Sequence, residues 1–241
     1  MADQQPQPEI AAVESSRQRG EAPAIRFSDM WQIVVAGNMD PRQHVPQWYQ
    51  LIGCINSDET KAGVATFGLG VQSEFLFDVG AFAISVDAHK WTISSIHPEN
   101  RARMVQIASV VFDRLKELAI PAYGINRWII LKPGMSRPDR IVANMIAEAA
   151  MGFSRGEATC QIDFRKTEDK FETYVKVAPS VIALDELVVI YNRHHPIPPQ
   201  SGYYDVGPMI QRDAEPAWQA ADEYGHAFSE RLKGASEAHH G

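Results

Sequence analysis

The chain has 241 residues, of which 45% are hydrophobic and 22% charged, and a formal net charge of −7. That balance is far from a disordered or membrane composition and supports a sizeable core in one domain or two halves sharing one interior. An acidic excess with no cluster of five or more lysines and arginines argues against nonspecific nucleic-acid binding, which draws its free energy from phosphate neutralisation.

No apolar run is long enough to span a bilayer, because VIALDELVVIY and WIILKP are each interrupted by charge or proline. The start, MADQQPQPEIAAVESSRQRGEAP, lacks the basic stretch and apolar segment of a secretory signal, so a cytoplasmic protein is expected. Cys54 and Cys160 stand far apart with no Cys-x-x-Cys pair, which leaves disulfide and cysteine-zinc frameworks unsupported and both thiols as small buried groups.

Residues 1–23 hold Gln, Pro, Glu and Ser with almost no large apolar groups, and too little burial is available there to offset ordering entropy. A disordered tail is expected. The first half, 24–120, opens with a strand in IRFSDMWQIVVAG (25–37), broken by NMDP and followed by a short helix over 41–53. VATFGLGV (64–71), FLFDVGAFAISV (75–86) and KWTISSI (90–96) read as strands, and His97-Pro98 stops the last of them. From 99 to 119 the period changes: Met104, Ile107, Ala108, Val111, Leu115 and Leu118 recur every three or four residues, which is an amphipathic helix.

The second half, 121–233, runs in the same order. AYGINRWIILK (122–132) is a strand stopped by Pro133-Gly134, and SRPDRIVANMIAEAAM (136–151) is a helix with Ser136 as N-cap. ATCQIDFRK (158–166) and KFETYVKVA (170–178) alternate and form a hairpin about TED, and VIALDELVVIYNRHHP (181–196) is a long strand segment that again ends in His-Pro. A helix over 209–233 presents Ala214, Trp218, Ala221, Tyr224, Phe228 and Leu232 on one face, and 234–241 is expected to fray.

Trp31 and Trp128, His97 and His195, and Thr66 and Thr159 stand at offsets of 97, 98 and 93 residues. The expected fold is therefore α+β: two tandem β-α-β-β-β-α units, joined into a largely antiparallel sheet with the long helices on one face. The other face is then free for solvent, a ligand or a partner. The scarcity of charge in the first half's strands predicts burial on both sides or contact with another chain, hence a homodimer.

Candidate chemistry is sparse. GLG at 68–70 has no third glycine and opens no helix, so no dinucleotide or other cofactor is implied. His97, His195 and His89 at strand ends could hold a transition metal if the ends converge, although His194 and His195, being adjacent on a strand, must point to opposite faces. Arg127 and Arg193 could grip an anionic ligand, with Trp128 as a platform beside Arg127. The proline-bearing loop HHPIPPQSGYY (194–204) has no counterpart in the first half and presents His194, His195, Tyr203 and Tyr204 for a partner or ligand.

The leading expectation is a noncatalytic binding or interaction protein, acting through a sheet surface and the 194–204 loop on itself, another protein or a small molecule. The second is a ligand-binding or metal-assisted enzyme using the strand-end histidines. The third is nucleic-acid binding by an edge of Arg127, Lys132, Arg137 and Arg140.

Overall fold

The computed structural model describes residues 29–68, 74–132, 142, 162–180, 185–198 and 205–240. The tail at 1–23, the helix expected over 136–151 apart from Val142, the cysteine Cys160 and the tyrosine pair Tyr203 and Tyr204 lie outside the described residues.

The fold is α+β. Among the described residues, nine strands form one antiparallel sheet: β1 (Met30–Ala36), β2 (Val64–Gly68), β3 (Glu74–Asp78), β4 (Ala83–Val86), β5 (Lys90–Ser95), β6 (Ala122–Leu131), β7 (Ile162–Thr167), β8 (Glu172–Pro179) and β9 (Leu187–Pro196). Their order across the sheet is β2-β3-β4-β5-β1-β6-β9-β8-β7. The helices are α1 (Pro46–Leu51), α2 (Ser57–Ala62), α3 (Arg101–Arg114) and α4 (Val206–His240).

The segment 75–86, read as one strand, turns instead. Asp78 accepts a hydrogen bond from the Gly80 backbone N–H at 2.6 Å, and Gly80 has a φ of 78°, a conformation few residues other than glycine adopt. The short helix expected over 41–53 is a 3-10 turn at Pro41–Gln43 followed by α1, and α2 is an additional element. Its N-cap Asn56 and Glu59 form a reciprocal capping box. α4 runs past Gly234 to His240, since no residue beyond Gly234 forbids helix.

Alternation decides the faces. Trp31, Ile33 and Val35 of β1, Trp91 and Ile93 of β5, and Ile84 and Val86 of β4 are buried beneath α3 and the first part of α4. Val175, Val177, Val189 and Ile129 form a second core with Ala221 and Leu232 of α4. Tyr49 of α1 takes a hydrogen bond from the Trp91 indole N–H at 2.9 Å and lies 2.9 Å from His44 Nδ1, which pins that helix to the sheet. Among the described helices none is long and apolar enough to cross a membrane.

The two halves share neighbour order, since each lays its last strand beside its first. The tryptophans do not demonstrate duplication, however. Trp31 faces the helices and is 5% exposed, whereas Trp128 faces the opposite side, across from Met30 and Ile190. Side chains on opposite faces of the sheet cannot be structural equivalents. The first half also carries one more described strand after its helices than the second.

Of the two outcomes expected for the first half's strands, burial on both sides does not hold for β2 within one chain: all five of its residues are exposed. It ends the sheet, so one edge has no neighbouring strand among the described residues.

α3 and α4 cross at backbone contact. The Ser109 hydroxyl donates to the Gly207 carbonyl at 3.2 Å, and a Cβ on Gly207 would come within 2.9 Å of the Ser109 carbonyl oxygen. Gly207→Ala must therefore push the helices apart, and a loss of about 1–3 kcal/mol in urea unfolding is expected. An unchanged midpoint would show that the crossing tolerates displacement.

Candidate functional site

Topology separates the candidate imidazoles. β5 and β9 run in opposite directions on either side of the β1–β6 pair, so their C-terminal ends lie at opposite margins of the sheet. His97, after β5, is exposed at one margin; His195, in β9, is buried toward the other. His89 shares the margin of His195, but β1 and β6 stand between their strands, a separation of about 14 Å. The trio His97, His195 and His89 is thus not assembled into a metal centre, and no group of three His, Cys, Asp or Glu side chains able to hold a metal occurs among the described residues.

His194 and His195 point to opposite faces, as strand geometry requires. His194 meets the Tyr174 ring edge-on, with centroids 6.2 Å apart, on the face away from the helices. There Gln32, Asn126, Asn192, Tyr174 and Arg165 stand side by side across five strands, and Asn126 Nδ2 donates to Gln32 Oε1 at 2.8 Å.

His195 stacks on Tyr123 with ring centroids 4.5 Å apart, and its Nδ1 lies 3.6 Å from Asp213 of α4. Asp213 also accepts from the Tyr123 hydroxyl at 2.5 Å and from two nitrogens of Arg212 at 2.7 Å. Burial pushes the Asp213 carboxyl up, but the hydrogen bonds from Arg212 and Tyr123 outweigh it and hold the group below its ordinary range. Burial lowers His195 to about 4 against the opposing pull of Asp213, so the ring is neutral near pH 7. Its Nε2 is enclosed and has no hydrogen-bond partner among the described residues.

Arg127 does not face a ligand. As an odd-numbered residue of β6 it points toward α4, where it donates to Asp222 at 2.8 Å, to Asp29 at 3.2 Å and to the Trp128 carbonyl, with its guanidinium 3.9 Å from the Trp31 ring centroid. Its charge and donors are used internally. Of the basic edge, Arg127 is buried, Lys132 is exposed and paired with Glu186 at 2.5 Å, and Arg137 and Arg140 lie outside the described residues. Arg193 also points to the helix side, over the Phe171 ring at 4.3 Å and 3.4 Å from the Tyr191 hydroxyl, and its Nε is buried without a partner among the described residues.

Beside Tyr191 lies a feature that the sequence did not disclose. A cleft of about 820 Å³ opens between β7, β8 and β9 below and the C-terminal part of α4 above. Ile162, Val175 and Tyr191 make its floor. Tyr224 and Phe228, stacked with centroids 6.1 Å apart and planes 7° from parallel, make a wall, and Lys166, Glu168 and Arg231 supply the charge, while the Arg165 guanidinium turns to the far face toward Glu172. Burial raises the Tyr224 phenol above its ordinary range while the neighbouring Arg231 charge pulls it down. Tyr224 and Phe228 were legible as an apolar helical face. Arg231, three positions beyond Phe228, continues that stripe with a charge and was the available signal.

The buried histidines make stability depend on acid. His44, like His195, is lowered by burial to about 4 from an ordinary value of 6.5. Above pH 6.5 both are neutral in folded and unfolded chains alike. Between 6.5 and about 4 the unfolded chain binds the protons first, so stability falls on acidification by about 1.4 kcal/mol per pH unit for each histidine. Urea titrations at about pH 7 and about pH 5 should show that loss, and His195→Gln should reduce its slope by roughly half; a flat profile in the wild type would contradict the burial of both rings.

Compared with known proteins, the chain matches no protein-family model, and no curated protein matches it in sequence.

Proposed function

We propose that this protein is a noncatalytic binding protein whose ligand seat is the cleft between β7–β9 and α4. The observation that supports this reading is the cleft itself. Its volume of about 820 Å³ falls in the range of roughly 300–1,000 Å³ that receives drug-sized ligands, and its lining is largely apolar with a few charged groups at defined places. The apolar walls supply binding free energy through water release, and the charged groups give orientation. A reading based on the strand-end histidines has less support, because the sheet keeps His97 away from His195. The loop at 194–204 adjoins the same strand, β9, through its first residues.

Filling the cleft tests this. Ala220 of α4 lines it, and Ala220→Trp places an indole in the ligand's volume. Denaturing extraction of purified protein followed by mass spectrometry should recover a small molecule from the wild type and none from Ala220→Trp at equal folded yield. Equal recovery from both proteins would remove the cleft as the seat.

A second reading, self-association, is favoured by the sheet end at β2 and β3. Val64 is 67% exposed, Phe67 48% and Leu76 40%, beside an edge with no neighbouring strand among the described residues. An apolar edge of this kind adds a second chain by continuing the backbone ladder. Sedimentation at micromolar concentration should give a dimer that Val64→Lys converts to monomer; a wild-type monomer would end this reading.

A further inference from the structure

Resting on the cleft as ligand seat, we propose that its ligand is an amphipathic organic anion, with the apolar body against Tyr191, Tyr224 and Phe228 and the negative group on Arg231. The charge around the cleft runs against that of the whole chain. The protein carries a net −7, yet on the helix side two cations, Lys166 and Arg231, and one carboxylate, Glu168, line the cleft. One of those cations is committed, since Lys166 pairs with Glu168 at 3.0 Å. Arg231 forms an ion pair with none of the described residues, although exposed Arg and Lys side chains elsewhere on α4 do so, as Arg212 with Asp213 and Lys233 with Glu230.

Position supports the same chemistry. Tyr224, Phe228 and Arg231 are spaced by four and three residues, so helical geometry stacks them along one side of α4 with the guanidinium at the end of the aromatic wall. A planar fork of donors beyond an apolar wall suits a carboxylate, sulfonate or phosphate attached to an aromatic or aliphatic body. A neutral ligand would leave the Arg231 charge without a counterpart, and a cationic one would be repelled by it.

Two fluorescent probes of similar shape separate charge from burial: anilinonaphthalene sulfonate, which is anionic, and N-phenylnaphthylamine, which is neutral. The wild type should bind the anionic probe saturably at one site and the neutral probe more weakly. Arg231→Gln, at an exposed position, should weaken the anionic probe about tenfold and leave the neutral one unchanged. Lys233→Gln, which removes an equal charge outside the cleft, should alter neither, and Ala220→Trp should displace both. Equal affinity for the two probes, or no effect of Arg231→Gln on the anionic one, would overturn the anion assignment while leaving the cleft as a seat. Binding of neither probe, or binding that survives Ala220→Trp, would overturn both.

Discussion

The antiparallel pairing of β1 with β6 is the contact on which the rest of the structure depends. Seven residue pairs, from Met30 opposite Trp128 to Ala36 opposite Ala122, join strands that begin about ninety residues apart in the chain and make one sheet of two halves. The seam is held from the helix side by Arg127, which reaches Asp29 before β1 and Asp222 on α4 while lying over Trp31. A guanidinium so enclosed needs both carboxylates, and its planar donors can serve two directions at once. α4 adds to the seam, since the Trp218 indole N–H donates to the Asn126 carbonyl at 3.0 Å.

That seam explains why α4 is long. At 1.5 Å per residue its 35 residues span about 52 Å, enough to cross both cores. Its first part lies against α3 and the first core through Ile210, Ala214 and Trp218; its later part covers the second through Ala221 and Leu232. Pro216 sits on its exposed side, where the missing N–H leaves a carbonyl that water can satisfy. Where α4 passes over β7 and β8 the packing is incomplete. Ala220 is small, Tyr224 and Phe228 stack on each other, and Phe164 on the edge strand remains 48% exposed. The cleft is the space those side chains leave.

Strand direction governs the histidines as well. Because β5 and β9 run oppositely, residues that occupy matching places in the chain are delivered to opposite margins. Strand direction thus disperses these groups rather than bringing them together. What remains at His195 is a structural arrangement, a neutral ring stacked on Tyr123 and anchored toward Asp213.

The amino-acid sequence by itself determined the α+β class, the strands β1, β5, β6, β8 and β9, the amphipathic faces of α3 and α4, and the opposed directions of His194 and His195. These are local consequences of alternation, helical period and proline or glycine punctuation, and each is settled within a dozen residues. Tertiary structure alone decided which face of each strand is buried against helix, that Arg127 is an internal clamp, that β2 is an exposed edge, and that a cleft opens beside Tyr191. Those outcomes depend on register and strand direction between segments far apart in the chain, and a shift of one residue in register exchanges every side chain between the two faces.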